Sequence, residues 1–261
     1  MTGSDILRQL EPWLVRQTRT AWKPVAEPGE GLLTSSKFGG TPWTGADAPW
    51  PECGNCKLPL PLLLQLDLNN LPPELGQRFG TGLLQLFYCT REECQGQGGW
   101  DPFGDDLSRV RVVQPVGAGT SAPLEGVEML PSKQIVGWTS LSDRPAPGEH
   151  EENGLKHSYD FSAKTLRLEC PEVQFDITYP MDEFPVEEIA VSTPGDKLAG
   201  WPYWVQNVEY PSCTKCGSQM ELVFQVDSED NIPFMFGDSG CGHITQCPKH
   251  KEVVAFGWAC C

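Results

Sequence analysis

Residues 37–67, KFGGTPWTGADAPWPECGNCKLPLPLLLQLD, and residues 197–227, KLAGWPYWVQNVEYPSCTKCGSQMELVFQVD, align without a gap. The offset between the two stretches is constant at 160 residues. Uncommon residue types recur at matching positions: Lys37 and Lys197, Gly40 and Gly200, Pro42 and Pro202, Pro51 and Pro211, Cys53 and Cys213, Cys56 and Cys216, Gln65 and Gln225, Asp67 and Asp227. Self-similarity at a fixed period is the signature of a repeated structural unit. The sequence therefore predicts an internal duplication.

Each copy predicts the same series of local structures. A Gly-x-Pro-aromatic segment leads to a Cys-x-x-Cys turn, and an apolar strand follows that ends in Gln-apolar-Asp. The runs 83–88 and 110–113 stand between Gly, Pro and Asp clusters and predict further strands. One helix is predicted over residues 4–20, from a stripe of apolar side chains at Ile6, Leu7, Leu10, Trp13 and Leu14.

Cysteine pairs in both copies have the spacing of metal ligands. Cys53 and Cys56 are followed by Cys89 and Cys94 in the first copy, and Cys213 and Cys216 by Cys247 and His250 in the second. Tetrahedral zinc needs such a second pair of ligands, returned from elsewhere in the chain. We predict a four-cysteine zinc site and a three-cysteine, one-histidine zinc site. Both are structural, because no coordination position is left open. The alternatives are free buried cysteines and a redox dithiol.

The cysteines outside these two sets are given no metal. Cys170 is expected to fill the core, and Cys241, Cys260 and Cys261 lie outside both sites. His243 is expected to be a hydrogen-bonded strand residue rather than a ligand, because His250 has the better spacing from Cys247.

The repeated polar residues at the strand ends are expected to be structural. Gln65 and Gln225 are predicted to satisfy buried backbone groups. Asp67 and Asp227 are predicted to cap backbone N–H groups, because a residue copied with its module is more economically explained by the fold than by acid–base catalysis.

The charge balance restricts the class of partner. The chain has 35 acidic and 19 basic residues and a formal net charge of −16. This field repels phosphate backbones and anionic lipid, and it attracts basic polypeptides. We therefore expect a basic protein partner and neither nucleic acid nor a membrane. The chain shows no leader pattern and no apolar run of about 18 residues, which predicts a cytoplasmic protein whose cysteines bind metal rather than form disulfides.

Several segments resemble the bacterial YwqG-like family, a domain of unknown function, and more distantly the eukaryotic programmed cell death protein 2 group. The resemblance is carried by GWPYWVQ at 200–206, PSCTKCG at 211–217, FQVD at 224–227 and FGDSG at 236–240, and by GGTPW at 39–43 with QLD at 65–67. It implies a duplicated β-rich module in a group that also contains dedicated chaperones of a nascent ribosomal protein. Bacterial relatives are associated with toxin–immunity neighbourhoods. Members without the cysteines still fold, so zinc would reinforce the fold locally.

The expected fold is α+β and predominantly β. Two pseudo-symmetric β-rich modules, each with a zinc-knuckle-type site, are joined to an N-terminal helix. The predicted divisions are an N-terminal helix and lead-in at 1–30, a first cysteine-pair module at 31–117, bridging strands and acidic loops at 118–195, and a second cysteine-pair module at 196–261. The acidic, Pro-rich stretch at 145–152 is assigned no chemistry.

The expected function is non-enzymatic protein binding that shields a basic polypeptide, in a chaperone-like or toxin-immunity-like role. One alternative is a hydrolase-type enzyme with a site in the 100–195 loops, using some of Asp101, Asp105, Asp106, His150 and His157. The other is a purely structural subunit of a larger assembly.

Overall fold

The computed structural model describes residues 2–45, 48–94, 103, 107–117, 119, 126–183, 192–228 and 230–260. These residues are mostly β, with one α-helix, α1 (Gly3–Gln17). The strands are β1 (Arg19–Pro28), β2 (Lys37–Phe38), β3 (Leu62–Asp67), β4 (Leu83–Tyr88), β5 (Ser108–Val113), β6 (Lys133–Asp143), β7 (Lys156–Asp160), β8 (Thr165–Cys170), β9 (Phe175–Pro180), β10 (Lys197–Ala199), β11 (Glu221–Asp227), β12 (Cys241–Gln246) and β13 (Val254–Ala259). In these ranges, no helix has the length and apolar character needed to cross a membrane.

Ten strands form one antiparallel sheet in the order β13-β12-β11-β10-β1-β6-β2-β3-β4-β5. The two outermost strands, β13 and β5, pack against each other, so the sheet is nearly closed. The core holds large buried side chains from both halves, including Phe38, Tyr88, Phe224 and Phe256. Near-closure protects strand edges that would otherwise be exposed to water and to other chains.

The centre of the sheet is the pair β1 and β6, which align from Arg19 opposite Asp143 to Pro28 opposite Lys133. Strands β2 to β5 continue the sheet beside β6, and β10 to β13 continue it beside β1. The register matches on the two sides, because Lys37 lies opposite Gln65 and Lys197 lies opposite Gln225.

A smaller sheet in the order β7-β8-β9 forms the second core with α1. Ile6, Leu10, Trp13 and Leu14 are the buried residues of the helix, as the apolar stripe predicts. The helix begins with a capping box in which Thr2 and Asp5 each bond the other's backbone N–H. It ends at Gln17 rather than at residue 20, because Thr18 is extended and Arg19 already pairs with β6.

Gln65 holds a covering segment on the outer face of β3. Its Oε1 accepts a hydrogen bond from the Trp43 backbone N–H at 3.0 Å, and its Nε2 donates to the carbonyls of Leu33 and Ser35 at 2.9 Å each. The segment that carries Trp43 leads directly to the Cys-x-x-Cys turn. Because this strand is buried on both faces, it reads as a nearly continuous apolar run.

Gln225 makes the corresponding contacts on β11. Its Oε1 accepts from the Tyr203 N–H at 2.7 Å, and its Nε2 donates to the carbonyls of Thr193 at 3.3 Å and Gly195 at 2.8 Å. Each of these three partners lies 160 residues after its counterpart at Gln65. The predicted role of both glutamines, satisfying buried backbone groups, is confirmed.

Both strand-end aspartates cap backbone N–H groups, as predicted. Asp67 accepts from the Asn69 N–H at 3.0 Å. Asp227 accepts from the N–H groups of Gly195 at 2.6 Å and Ser228 at 2.8 Å. These bonds fix the turns that follow β3 and β11.

A lysine–carboxylate pair recurs in both halves. Lys37 Nζ lies 3.3 Å from Glu30, which also accepts from the Thr41 N–H. Lys197 Nζ lies 3.0 Å from Asp143, which also accepts from the Trp201 N–H. Asp143 is the last residue of β6, whereas Glu30 lies in the loop two residues after the end of β1. Because no repeat links Glu30 to Asp143, the sequence did not predict these pairs or the place of β6 at the centre.

The two lysine–carboxylate pairs differ in burial and should differ in their effect on stability. The side chains of Lys197 and Asp143 are 0% exposed, whereas that of Glu30 is 52% exposed. Asp143→Asn leaves a buried ammonium without its counter-charge, so we expect it to lower the free energy of unfolding by about 3 kcal/mol. Lys37 is also buried, at 1% exposure, but its partner Glu30 is open to water, so Glu30→Gln should cost less, about 1 kcal/mol. Urea denaturation of both variants measures the difference, and equal losses would contradict the assignment.

Candidate metal centres

The structure brings the first four predicted ligands together. The Sγ atoms of Cys53, Cys56, Cys89 and Cys94 all lie within 4.8 Å of one another, and those of Cys53 and Cys94 are 4.0 Å apart. Cys53, Cys89 and Cys94 are buried, and Cys56 is half-buried. At this spacing, a single metal ion placed between the four sulfur atoms could bind all of them.

The second four predicted ligands also converge. The Sγ atoms of Cys213, Cys216 and Cys247 and a ring nitrogen of His250 lie within 4.8 Å of one another. His250 Nδ1 is 3.7 Å from both Cys213 Sγ and Cys247 Sγ, and the Sγ atoms of Cys216 and Cys247 are 3.7 Å apart. These contacts identify Nδ1 as the donor atom that faces the thiols.

The two Cys-x-x-Cys turns have the same backbone hydrogen bonds. The Cys53 N–H donates to the Leu58 carbonyl at 2.9 Å, and the Cys213 N–H donates to the Ser218 carbonyl at 2.8 Å. The residue after the second cysteine takes a left-handed conformation in both turns, with φ of 61° at Lys57 and 68° at Gly217. This closes each loop tightly enough to point both thiols the same way.

The returning ligands stand where a sheet strand ends. Cys89 follows β4 and its N–H bonds the Leu107 carbonyl, while Cys247 follows β12 and its N–H bonds the Val253 carbonyl. Cys94 belongs to a short 3₁₀ helix at Glu92–Cys94. The paired strands β4 and β12 therefore fix the positions of Cys89 and Cys247, the first ligand of each returning pair.

Local hydrogen bonds favour the thiolate form, which a metal requires, at two of the ligands, Cys216 and Cys56. Hydrogen bonds with the Ser218 side chain and backbone lower the pKa of Cys216 to about 6. Burial alone would raise the pKa of Cys56, but hydrogen bonds with the Leu58 backbone and the neighbouring thiols lower it to about 7. Burial raises the pKa of Cys94 to about 12. A thiol of this last kind ionises only when a cation is bound beside it.

The donor spacing fits a tetrahedral metal ion. Metal–sulfur bonds of about 2.3 Å in a tetrahedron place the sulfur atoms about 3.8 Å apart. The Cys216–Cys247 distance of 3.7 Å and the Cys53–Cys94 distance of 4.0 Å bracket that value, and all other donor pairs lie within 4.8 Å. Both groups can therefore hold a metal ion with little rearrangement. Each supplies four donors from this chain, so no position remains for water or substrate.

The other cysteines and His243 lie outside these groups. Cys170 is buried in the core beside α1, as expected. Cys241 is buried in β12 and Cys260 is half-buried after β13, whereas Cys261 lies outside the described residues. His243 Nε2 is 3.2 Å from the Tyr203 carbonyl, in agreement with the predicted strand histidine. Within the described ranges, no further group of three or more His, Cys, Asp or Glu residues is placed to hold a metal.

Two of the residues considered for the enzyme alternative, His150 and His157, lie in the described part of the chain. His150 is buried, its ring meets Trp13 edge-on at 5.4 Å, and burial lowers its pKa to about 4. His157 lies on β7 with its ring 5.5 Å from that of Tyr159. Asp101, Asp105 and Asp106 lie outside the described residues.

Glu149 is a buried residue that the sequence did not single out. It is 3% exposed, and it accepts hydrogen bonds from Trp204 Nε1 at 2.6 Å and from the Tyr210 hydroxyl at 3.0 Å. Burial raises the pKa of its carboxyl. An acidic, Pro-rich loop is normally solvated, so the stretch 145–152 gave no signal that one of its carboxylates would orient two aromatic rings.

Cobalt(II), which gives absorption bands characteristic of tetrahedral thiolate ligation, should reveal two separate centres. We expect metal-free wild-type protein to bind two cobalt ions per chain, one for each group. Cys213→Ser should bind one, because it removes a ligand from the second group only. Cys260→Ser, which changes a cysteine outside both groups, should still bind two. Spectrophotometric titration measures the stoichiometry, and an unchanged end point for Cys213→Ser would contradict the grouping.

One comparison with known proteins identifies a family of unknown function. The sequence model of a family described as "Domain of unknown function (DUF1963)" matches residues 36–249. That span contains all seven clustered cysteines and stops one residue before His250. No curated protein matches the chain. Because the family match extends over more than half of the chain, this protein belongs to the DUF1963 family.

Proposed function

We propose that this protein is a non-enzymatic, zinc-stabilised binding protein that shields a basic polypeptide. The observation that carries the proposal is the combination of two complete four-donor groups with a net charge of −16. A metal with every position filled by protein has a structural role, and a strongly acidic protein attracts cationic partners. The same electrostatic attraction would bind either a client protein that awaits assembly or a cationic toxin domain.

Zinc is the metal that best fits both donor sets. Thiolates with or without one imidazole, arranged tetrahedrally, are the usual ligands of structural zinc. Calcium and magnesium prefer oxygen ligands, and neither group contains one. We place the protein in the cytoplasm, where thiols remain reduced and available to metal.

A redox dithiol accounts less well for these groups. It needs only the two cysteines of a Cys-x-x-Cys turn, whereas two further donors converge on each turn here. The described cysteines are all free thiols rather than disulfides. Convergence of four donors is the arrangement that a metal ion requires.

We further infer that the two halves arose by internal duplication and that the chain lies within the YwqG-like group, with the programmed cell death protein 2 group as a more distant relative. The matching hydrogen bonds of Gln65 and Gln225 support the duplication. The matching Cys-x-x-Cys turns support it as well. The two sides of the ten-stranded sheet also have the same strand sequence outward from β6 and β1.

The acidic residues outnumber the basic ones, and several basic side chains already form ion pairs within the chain. Ion pairs within the described residues involve Arg8, Arg16, Lys37, Arg78, Arg167, Lys197 and Lys215. With 35 acidic against 19 basic residues in the chain, one-to-one pairing would still leave 16 carboxylates without a basic partner. The unbalanced charge is what would steer a cationic polypeptide to the protein.

Zinc should be present at two ions per chain, one for each donor group. Removing it with a strong chelator should lower the melting temperature by about 10 °C while the protein stays folded, because a large core backs both groups. A small zinc finger would unfold instead. Metal analysis and thermal unfolding by circular dichroism check both points. Protein purified under reducing conditions with no zinc would contradict the proposal.

A partner captured from the native cell should be basic, and its association should depend strongly on salt. Raising the salt from about 0.05 M to about 0.5 M should slow association by about tenfold or more, because long-range attraction is screened over about 10 Å at 0.1 M. Surface plasmon resonance measures the association rate. DNA and RNA, as controls, should not compete. Acidic partners, or association that salt leaves unchanged, would contradict the proposal.

A further inference from the structure

A cleft of about 280 Å³ opens over strands β12 and β13, and none of the candidate metal ligands lines it. Trp204 and Tyr210 line it as aromatic walls, His243 and Thr245 line it from β12, and Gly257 lines it from β13. Because glycine has no side chain, Gly257 leaves open the space that a side chain on the outer face of β13 would fill.

The aromatic walls of the cleft are held in place. Their rings meet edge to face, with centroids 5.1 Å apart and an interplanar angle of 85°. The buried Glu149 side chain accepts hydrogen bonds from both Trp204 and Tyr210, so it fixes the positions of the two rings. The ring of His243 lies 4.6 Å from that of Trp204. A preformed, aromatic-lined cleft is suited to a cation.

A polar atom in the cleft lacks a partner. Thr245 is 2% exposed, and its Oγ1 has no hydrogen-bond partner among the residues that the structure describes. A buried hydroxyl without a partner costs free energy of the order of 1–3 kcal/mol. A ligand that moved the neighbouring atoms aside and placed a donor against this buried oxygen would remove that cost.

The other half of the protein shows what fills the corresponding place. Gln85 lies opposite Arg111 in the β4–β5 pair, and His243 lies opposite Gly257 in the β12–β13 pair. Gln85 and His243 are equivalent because they lie opposite Gln65 and Gln225 respectively. Arg111 therefore occupies the position that Gly257 occupies in the second half.

The Arg111 side chain makes the contacts of a bound guanidinium. Its guanidinium carbon lies 5.1 Å from the ring centroid of Phe87, and its Nε donates to Gln85 Oε1 at 2.9 Å. Phe87 lies opposite Leu62 as Thr245 lies opposite Leu222, so the two halves also correspond at this position. In the first half, the Arg111 side chain occupies the position above the sheet that corresponds to the cleft. In the second half, Gly257 has no side chain there and the cleft is open.

We propose that the cleft beside Gly257 binds the guanidinium group of an arginine side chain from a basic partner polypeptide. This inference rests on the proposed function and names the site at which it acts. The guanidinium is planar, stacks on aromatic faces and carries several N–H donors, one of which would bond Thr245 Oγ1. Glu209 at the lining of the cleft adds a carboxylate that matches the charge. Lysine lacks the planar group and would fit less well.

The test uses the full-length protein and a short Gly-Ser peptide that carries arginines. The arginine peptide should shift the indole N–H resonance of Trp204 in a ¹H–¹⁵N NMR spectrum, with the resonance assigned through Trp204→Phe. Versions of the peptide with lysine or citrulline replace the guanidinium by an ammonium or by a neutral isostere. They should shift this resonance much less.

The deciding variant is Gly257→Arg, which gives the second half the arginine that the first half already has. Its own guanidinium should fill the cleft and weaken binding of the arginine peptide by at least about tenfold. Thr245→Val keeps the shape and removes the hydroxyl, and should weaken binding by about threefold. Ser158→Arg, on the exposed β7 strand, adds the same charge elsewhere and should change affinity by less than about twofold.

Each contrary result overturns the inference in a recognisable way. An arginine peptide that does not bind, or that binds no better than the lysine peptide, excludes a guanidinium site. Wild-type affinity in folded Gly257→Arg, or in Thr245→Val if the first variant does not fold, excludes this cleft. If the cleft does not bind arginine, the protein can still capture a basic partner in a salt-dependent way. The capture experiment therefore tests the proposed function separately from this site.

Discussion

A buried glutamine in each half of the sheet is the constraint on which the rest of the structure depends. Gln65 and Gln225 each accept from one backbone N–H and donate to two backbone carbonyls of segments that are distant in sequence. Without an amide at these positions, buried backbone groups would lose their partners at a cost of about 1–3 kcal/mol each. The glutamines therefore allow irregular chain segments to cover an outer sheet face that would otherwise meet water.

The metal centres and the cleft both follow from that covering. The segments held by the glutamines lead to the Cys-x-x-Cys turns, and the paired strands β4 and β12 deliver the returning ligands. A metal bound by either donor group would tie a covering segment to the end of a strand and reinforce contacts that the core already supports. In the second half, the same covering segment supplies the aromatic walls Trp204 and Tyr210 above β12. The candidate metal centre and the cleft of the second half are thus built from the same covering segment and the same strand, β12.

The sequence predicted features that are local or repeated with a constant offset. The Cys-x-x-Cys turns and the glutamines belong to the gapless repeat, and the single helix has a clear apolar stripe. Other features depend on long-range pairing. Glu30 lies in the loop after β1 and Asp143 lies at the end of β6, so no sequence repeat relates them. The equivalence of Arg111 and Gly257 appears only through strand register, since the offset there is no longer 160 residues. Glu149 had no signal, because burial of one carboxylate in an acidic loop is set by the aromatic rings that reach it.

The central claim is that both donor groups are complete, closed zinc centres. X-ray absorption at the zinc edge tests this most directly, because it reports the identity and number of the atoms bound to the metal. The account predicts sulfur-dominated ligation at about 2.3 Å, with one nitrogen donor shared over the two sites and no bound water. Cys213→Ser should leave a spectrum of sulfur alone, since the remaining site has four cysteines. A first shell dominated by oxygen and nitrogen would contradict the account.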